Sequence, residues 1–321
     1  MKLGLLNILE RFEQTFSGPI NPEEELSVGL FKLRIPAFPL EVIREAILNA
    51  ITHRDYSHPD EILVRHAQHE IAVTSPGGFI GGITLNNILR HEPVRRNRTL
   101  ANAFAKLRLV ESAGFGRRRI FIPMLSFGKK PPIYESDNSQ VTLRLFNGSY
   151  DAQMAGLIAK WNSEGKEIGL DELLVLTYLK ESAFINSITA SDLLQVTREK
   201  ARSLLEQMQI STGILERKGQ TNAATYHLAK SVASDLLGKV AYSKTRGLNP
   251  VRYAEMVRQF VSDHGSITAA QCRELLGLGD SQTAKVQTSQ YLKRWSDDAT
   301  GFLRREGAPP HHHRYVLAES N

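Results

Sequence analysis

The chain has 321 residues, one cysteine and a net charge of +6, and its length fits two or three domains. The single cysteine, Cys272, excludes an intramolecular disulfide and a cysteine-based zinc cluster, and we expect it to be a small core residue. No apolar run approaches the ~18 residues of a membrane span. Residues 1–16 carry charges typical of an amphipathic helix rather than of a secretory signal. These features predict a cytoplasmic protein without a membrane partner.

The positive charge is concentrated in residues 90–119. This stretch contains nine basic and two acidic side chains, a net charge of +7 that exceeds the excess of the whole chain. Such a concentration favours the docking of an anionic ligand. A solvated basic surface is the alternative interpretation.

The first 150 residues contain patterns of both helices and strands. Pro36 and Pro39 interrupt the chain before a helix with one apolar face, and Pro39 suits the first turn of that helix. In chain order, the predicted elements are a helix over 1–17, a strand over Leu30–Ile35, a helix over Leu40–Ile51, strands over Asp60–Arg65 and Glu70–Thr74, a helix over Leu100–Leu107 and a strand over Val141–Leu145. Helices beside one antiparallel sheet predict an α+β domain over residues 1–150.

An internal repeat follows Tyr150. Ile188-Thr189-Ala190 recurs as Ile267-Thr268-Ala269, and the run 213–219 recurs as 301–307. Each copy is predicted to contain three helices and then a hairpin, which is the order of a winged helix. The sequence therefore predicts two winged-helix modules, over 151–232 and 233–321. Two helix starts carry capping residues: Thr268 with Gln271 forms a capping box, and Thr189 with Asp192 is a weaker version.

The third helix of each copy is predicted to have an apolar face and a polar face. The apolar faces comprise Ala201, Leu204, Leu205 and Met208 in copy one, and Ala284, Thr288, Tyr291, Leu292 and Trp295 in copy two. Basic residues of the polar faces and of the hairpins suit contacts with double-stranded DNA: Arg198, Arg202, Arg217, Lys218, Lys285, Lys293, Arg304 and Arg305. The alternative is that these modules bind protein partners or form a homodimer, because residues 151–321 have a net charge of only +2.

One candidate for chemistry lies on the helix after Pro39. No Walker-type phosphate loop and no His-Glu-x-x-His zinc motif occurs in the chain. Glu45 and Asn49 are four residues apart and share a helical face, opposite the apolar face, so they point to solvent or to a ligand cavity. A carboxylate beside an amide can orient water and hold magnesium through its hydration shell.

Four motifs in order give this pair a wider context. They are Glu45–Tyr56, which ends in Asn-Ala-Ile-Thr-His-Arg-Asp-Tyr, then Ser75-Pro76-Gly77-Gly78, Arg96-Asn97-Arg98 and Glu111–Gly116. Together, over about residues 35–125, they resemble a divergent ATP-binding family described as RecG-like helicases or Schlafen/AlbA-linked transcriptional regulators. That family is a variant of the GHKL superfamily of gyrase, histidine-kinase and chaperone ATPases, with the Bergerat fold. The resemblance implies a GHKL-like sandwich of helices on an antiparallel sheet, with ATP and Mg²⁺ as cofactors.

The resemblance also implies a role for each matching residue. Glu45 would be the catalytic base, and Asn49 would be the magnesium-linked amide beside Glu45. Ser75 would read the adenine, Gly77 and Gly78 would let the backbone approach the nucleotide, and Arg96 and Asn97 would contact the nucleotide. Gly114 and Gly116 would form the phosphate cradle at a helix start. Residues 79–113 would form a lid, and His53, Arg54 and Asp55 would have structural or lid-contact roles. Ser75 departs from the family, which has Asn there, and from the superfamily's Asp. A hydroxyl accepts a hydrogen bond from adenine more weakly than a carboxylate does.

The hypothesis that follows is a nucleotide-responsive DNA-binding regulator. Family members carry an N-terminal AlbA-type domain, of which we expect only the following helix, residues 1–17, to be present. A helicase is not expected, since the chain has no helicase motor motif. The alternatives are a slow Mg-dependent ATPase whose winged helices bind protein partners, and a degenerate nucleotide fold that acts as a scaffold.

Overall fold

The computed structural model describes residues 4–28, 31–109, 116–219, 224–237, 253–276, 278, 282–296, 301–306 and 314–318. The chain is an α+β protein, as predicted, with several small antiparallel sheets. It divides into two compact units, one of residues 1–178 with 190–201 and one of residues 179–189 with 202–321. In the described part of the chain, no helix is long and apolar enough to cross a membrane. The domain boundaries near residues 150 and 232 stay a prediction.

The first unit consists mainly of helices and a four-stranded sheet. Its elements are α1 (Leu5–Phe16), β1 (Glu23–Val28), β2 (Phe31–Pro36), α2 (Leu40–His53), β3 (Leu63–Ala67), β4 (Glu70–Pro76), α3 (Arg98–Lys106), α4 (Gly116–Ser126), β5 (Ile133–Ser136), β6 (Gln140–Phe146) and α5 (Ala152–Ser163). Three further helices cross the division between the units: α6 (Leu170–Glu181), α7 (Ser187–Leu194) and α8 (Arg198–Gln207).

The four-stranded sheet is antiparallel throughout and has the strand order β3-β4-β6-β5. Strand β4 lies in its interior and pairs Ser75 with Val141. Helix α2 contacts both β4 and α4, and Ile47, Ile71 and Leu145 are almost completely buried. The sheet and the two helices therefore share one apolar core, which fixes α2 against β4.

The start of α2 is held by a buried amide. Asn21 accepts a hydrogen bond from the Phe38 backbone N–H at 2.7 Å and donates one to the Phe38 carbonyl at 2.8 Å. Helix α2 then begins after Pro39 and ends at His53, two residues beyond the predicted end. Because a buried backbone group needs a partner, this clamp fixes the direction in which α2 enters the core.

The first strand of the sheet begins later than the sequence pattern indicates. Strand β3 starts at Leu63 and not at Asp60. The Arg54 guanidinium donates hydrogen bonds to the carbonyls of His58 and Asp60, at 3.1 and 2.5 Å. A loop held by this side chain therefore occupies the residues where the strand was predicted to start.

The second unit contains short helices and two small sheets. After a π-helical turn (Met208–Thr212), its elements are β7 (Leu215–Lys218), β8 (Thr225–Leu228), α9 (Lys230–Leu237), α10 (253–264), β9 (Ile267–Thr268), α11 (Ala269–Leu275), α12 (Gln282–Trp295), β10 (Leu303–Glu306) and β11 (Arg314–Leu317). Strands β7 and β8 form a hairpin, and the last sheet has the order β10-β11-β9.

Residues 253–318 form their own apolar core. Its buried members are Tyr253, Val257, Val261, Ile267, Cys272, Leu276, Leu292, Trp295 and Leu303. Cys272 is a core residue, as predicted, and burial raises the pKa of its thiol to about 12. The predicted capping box of α11 is confirmed, because Thr268 and Gln271 each hold the other's backbone N–H.

Two predictions about helices, one on a cap and one on apolar faces, need correction. The start of α7 is capped by Asn186, whose side-chain oxygen accepts from the N–H groups of Ile188 and Thr189 at 3.0 and 2.9 Å, so Thr189 lies inside the helix. Leu204 and Tyr291 are half-buried rather than buried, because they lie at the margins of the apolar stripes. The other predicted apolar positions are buried, and the side chain of Ala284 lies outside the described residues.

Candidate functional site

A cavity lies beside the polar face of α2 in the first unit. It encloses about 1300 Å³ of empty space, including its open mouth. Its wall is formed by helix α2, the strands β4, β5 and β6, the loop 77–96 and the start of α4. The lining residues include Glu45, Asn49, His53, Val73, Ser75, Gly77, Gly78, Phe79, Ile80, Ile83, Ile88, Val94, Arg95, Arg96, Gly116, Arg117, Tyr134, Val141 and Leu143. A largely apolar pocket with a few convergent polar groups is typical of a small-molecule site.

Glu45 and Asn49 form a hydrogen-bonded pair in this wall. The Asn49 amide nitrogen donates to Glu45 Oε1 at 3.1 Å, and Glu45 is only 6% exposed. An Arg119 guanidinium nitrogen lies 3.8 Å from Glu45 Oε2. The polar face of α2 therefore points into a cavity, which decides between the two orientations that the sequence left open. A buried carboxylate retains its charge only where such partners compensate for lost water.

Gly116 brings the start of α4 against this pair. A Cβ atom at this position would lie 2.5 Å from Glu45 Oε1 and 3.4 Å from the Asn49 amide nitrogen. Any other residue would displace the Glu45 carboxylate. The first turn of α4 also carries Arg117, Arg118 and Arg119, and the N–H groups of a helix start favour anions.

Ser75 lies on the inner strand β4, in the cavity wall. It is 7% exposed, and its hydroxyl donates a hydrogen bond to the Ala50 carbonyl at 2.9 Å. Because the hydroxyl proton is engaged, the oxygen can meet a ligand only as an acceptor.

Gly77 and Gly78 are required by the protein itself. Gly77 has a φ of +96°, and a Cβ there would lie 2.7 Å from the Asp55 Cβ; at Gly78 it would lie 2.7 Å from the Asp137 carbonyl. The loop after β4 therefore passes so close to the Asp55 side chain and the Asp137 backbone that no space is left for a side chain. Both glycines also line the cavity.

Arg96 fastens this loop to the segment after α2. It donates to the Gly78 carbonyl at 2.6 Å, and another of its nitrogens lies 3.4 Å from Asp55 Oδ2. Its Nε is buried and has no hydrogen-bond partner among the described residues. Hydrogen bonds from Ser57 are the main cause that lowers the pKa of Asp55. Burial, and then the charges of Arg96 and Arg95, lower the pKa of His53, which keeps its ring neutral.

Asn97 is placed differently from the other candidate residues. Its amide nitrogen donates to the carbonyls of Thr52 and Arg54, at 2.9 and 2.8 Å, and it is absent from the cavity lining. It caps the end of α2, so nucleotide contact by Asn97 stays a prediction. Gly114 lies outside the described residues. The structure brings together Glu45, Asn49, Ser75, Gly77, Gly78, Arg96 and Gly116 around one cavity.

Arg117 and Tyr134 are among the lining residues that were not predicted from the sequence. Arg117 donates hydrogen bonds to the carbonyls of Ile88 and His91 and so ties α4 to the loop; burial lowers its pKa. The Tyr134 hydroxyl has a raised pKa, first because of burial and then because of the Glu45 carboxylate. The arginine run after Gly116 marked Arg117 only as a basic residue, and Tyr134 lies on the short strand β5, which the pattern did not indicate.

The residues predicted to contact DNA differ in their partners. Glu206 Oε1 lies 3.2 Å from Arg202 and 3.6 Å from Arg217, and Arg304 contacts Glu306 at 2.8 Å. The other predicted contacts are exposed: Arg198, Lys218, Lys285, Lys293 and Arg305. In the described part of the chain, no three His, Cys, Asp or Glu side chains group as metal ligands.

Comparison with known proteins finds a family model that matches part of the cavity domain. Residues 60–145 match a family model described as "Putative ATP-dependent DNA helicase recG C-terminal". The resemblance to the RecG-like ATP-binding family is therefore confirmed over this segment. It includes Ser75, the loop glycines, Arg96 and Gly116, whereas Glu45 and Asn49 precede it.

A solved structure is similar over much of the chain. The DIP2311 protein from Corynebacterium diphtheriae is 26% identical, with a TM-score of 0.62. The match covers 72% of this chain and 47% of that chain, so this chain spans about half the length of the solved structure. No curated protein matches the chain.

Proposed function

We propose that the first unit binds ATP in the cavity beside α2, in a GHKL-like fold. The observation that carries this proposal is the buried Glu45–Asn49 pair, held against the glycine that begins α4. The pair, the acceptor Ser75 and Arg117 of α4 line one space, and they suit phosphates at one end and a base at the other. The RecG-like family match over 60–145 supports the same ligand.

The residues present also fit a magnesium ion bound with the nucleotide. Asn49 uses its amide nitrogen for Glu45, which leaves its amide oxygen as a ligand. Because no cluster of three acidic or histidine ligands occurs among the described residues, phosphate and water oxygens would complete the coordination. A bound ion would neutralise phosphate charge. Glu45 would orient the attacking water and accept its proton, which makes slow hydrolysis the expected activity.

We further propose that the C-terminal half binds double-stranded DNA through winged-helix modules. Residues 253–318 have the order helix, short strand, helix, helix and hairpin, and β9 completes a three-stranded sheet with that hairpin. In a winged helix the third helix is the one that enters the major groove. Here it is α12, which exposes Lys285 and Lys293. ATP bound in the first unit would then regulate the binding of DNA by the C-terminal half of the same chain.

Binding of protein partners is the second candidate for these modules. The carboxylates of Glu206 and Glu306 already contact three of the predicted DNA-binding arginines. This pairing lowers the charge available to a phosphate backbone. A duplex-binding measurement separates the two candidates.

The nucleotide proposal is tested by titrating a fluorescent ATP analogue, with and without Mg²⁺. We expect Mg-dependent binding to the parent chain and none to Asn49→Ala, because the substitution removes both the magnesium-linked oxygen and the partner of Glu45. Asn7→Ala, at an exposed position of α1, is the matched control and should bind as the parent does. Equal affinities of the parent and Asn49→Ala would show that the site is misplaced.

The hydrolysis proposal has a conservative variant. Glu45→Gln keeps an oxygen that can accept from Asn49 but cannot take a proton from water. We expect nucleotide affinity within about threefold of the parent and a loss of phosphate release of at least about 100-fold. Glu10→Gln, on the exposed face of α1, is the control. Undiminished phosphate release in Glu45→Gln would remove Glu45 from the reaction.

A further inference from the structure

The loop that covers the cavity is fastened to the turn between α7 and α8, within the first unit. We call residues 79–97 the cover loop. The Leu89 backbone N–H donates to Gln195 Oε1 at 2.7 Å, and Gln195 Nε2 donates to the Leu85 carbonyl at 2.8 Å. Arg90 Nε donates to the Leu194 carbonyl at 2.7 Å. Two side chains thus link segments that are more than 100 residues apart in sequence.

Asp171 holds Arg90 in place for this contact. A terminal nitrogen of Arg90 lies 2.5 Å from Asp171 Oδ1, and both side chains are about a third exposed or less. A charge-assisted bond of this kind is stronger than a neutral one. We call the contacts of Arg90 and Gln195 the latch.

The latch reaches the cover loop at the residues that face the cavity. Ile88 lines the cavity and is followed directly by Leu89, whose N–H is bound by Gln195. Arg117, also a lining residue, donates to the carbonyls of Ile88 and His91. A ligand that contacts Ile88 or Arg117 therefore acts on the stretch of backbone, residues 88–91, to which the latch is also hydrogen-bonded.

Gln195 has a backbone conformation that normally calls for glycine. Its φ is +52°. Its N–H donates to the Asp192 carbonyl and the Val196 N–H donates to the Ser191 carbonyl, which is the bonding of a Schellman motif with Gln195 at the left-handed position. Glycine would fit this position with less strain. The side-chain amide, and not the turn, is therefore what glutamine contributes here.

Helix α8 begins immediately after this turn. Thr197 accepts from the N–H groups of Lys200, through its hydroxyl, and Ala201, through its carbonyl, and Arg198 is the first helical residue. In the proposed winged helix of copy one, α7 and α8 are the second and third helices. The latch thus holds the turn from which the predicted DNA-contacting helix starts.

We propose that the Gln195–Arg90 latch couples nucleotide binding in the cavity to DNA docking by α8. The inference rests on the proposed nucleotide and DNA functions, and it adds the residues through which one site acts on the other. The cover loop has no helix or strand of its own, and a nucleotide that contacts Ile88 and Arg117 would restrict its backbone further. That restriction would pass through the latch to the α7–α8 turn. A second ligand then meets a loop and turn that are already ordered, and binds more tightly.

The test measures both affinities with and without the other ligand. The probes are a fluorescent Mg-ATP analogue and a mixed-sequence DNA duplex at about 50 mM salt. In the parent we expect each ligand to tighten the other by the same factor, about 5- to 100-fold, because coupling is reciprocal. Gln195→Gly should reduce this factor to about one and leave each separate affinity within about twofold of the parent. Asp192→Asn, an exposed change one turn earlier on α7, should keep the coupling.

Hydrogen exchange reports the latch directly. The Leu89 amide should exchange faster in Gln195→Gly than in the parent, since its acceptor is removed. Coupling that persists in Gln195→Gly, or unchanged Leu89 exchange, overturns the inference. Independent binding of the two ligands to the parent also overturns it, while the proposed function stands. A parent chain that binds neither ligand overturns the proposed function itself.

Discussion

At the scale of single residues, Gly116 controls the geometry of the Glu45–Asn49 pair. In Gly116→Ala the new Cβ would lie 2.5 Å from Glu45 Oε1. Because this atom ends a flexible side chain, we expect the carboxylate to move and the fold to persist. Losing a hydrogen bond to a charged group weakens binding by about 1.5–3 kcal/mol, or roughly 10- to 100-fold in nucleotide affinity. Titration with the fluorescent ATP analogue measures this change.

Gly156 supplies the matched control. It lies inside α5, and a Cβ there meets nothing within 4 Å. Gly156→Ala should leave nucleotide affinity unchanged and stabilise the chain by up to about 1 kcal/mol, because alanine is the better helix former. Equal nucleotide affinity of both alanine variants would mean that the start of α4 does not constrain the site.

Ser75 sets the expected selectivity for adenine. Its hydroxyl donates a hydrogen bond to the Ala50 carbonyl, so the hydroxyl oxygen can only accept a hydrogen bond from the exocyclic amine of a base. A neutral hydrogen bond contributes about 0.5–1.5 kcal/mol, or roughly three- to tenfold in affinity. ATP should therefore displace the fluorescent analogue about three- to tenfold better than GTP, and Ser75→Ala should lose this preference. A thousandfold preference would show that another residue reads the base.

Residue spacing within one helix was enough to predict part of the site. Glu45 and Asn49 are four residues apart, so any helix places them together. The contact of Arg117 with Ile88 joins helix α4 to a loop across almost thirty positions, and no local period encodes such a contact. The glycines after β4 were predicted to admit a nucleotide, whereas the structure shows that they also accommodate Asp55 and Asp137.

At the scale of elements, helices with a regular apolar stripe were predicted within a few residues, whereas strands β1 and β5 were not predicted. Helix α2 and the capping box of α11 are examples of the first kind. Strand β1 begins Glu-Glu-Glu and is mostly exposed, and β5 has only four residues at the sheet edge. Neither has a buried face long enough to impose alternation on its sequence.

Strand β8 makes a prediction about acid stability. Burial, and then the charge of Lys218, lower the pKa of His227 to about 4, although Glu216 opposes the shift. The ring lies 5.8 Å from that of Phe184. The folded state therefore keeps His227 neutral, and stability is complete above the unfolded pKa of about 6.5. It falls as the pH drops from about 6.5 to 4, by at most about 3 kcal/mol, because only the unfolded chain binds the proton.

His227→Gln tests this expectation by removing the titrating group. Urea unfolding, followed between pH 7 and 4, should show a smaller loss of the free energy of unfolding in the variant than in the parent. Parallel pH profiles for the two chains would mean that His227 is accessible to protons in the folded state.

At the scale of the whole molecule, the repeat in the sequence predicted a C-terminal half of two similar modules. Each copy contains helices followed by a hairpin, but four helices, α5 to α8, precede the hairpin of copy one instead of the predicted three. What the repeat could not predict is that residues 190–201 belong to the unit of the cavity. Gln195 contacts Leu89, which is 106 positions away and precedes both copies. A comparison of the two copies with each other cannot predict a contact with a residue outside them.

The DNA proposal makes a prediction about the salt dependence of duplex binding. If about five of the eight predicted basic residues meet phosphates, log affinity should fall with log salt with a slope of about −4 to −5. Arg198→Ala and Lys285→Ala each remove one basic residue, from copy one and copy two, and each should weaken binding and reduce the slope by about one. Loss of binding from only one of them would assign the other module to protein contacts.

A variant at Glu206 should change duplex affinity in the opposite direction. Its carboxylate contacts Arg202 and Arg217, so a duplex has to compete with it for both guanidinium groups. Glu206→Gln should therefore strengthen duplex binding and steepen the salt slope, because more basic charge becomes available to phosphates. Binding is measured from about 50 to 300 mM salt, the range over which phosphate contacts weaken most visibly. No binding of the parent chain at the low-salt end would favour protein partners for both modules.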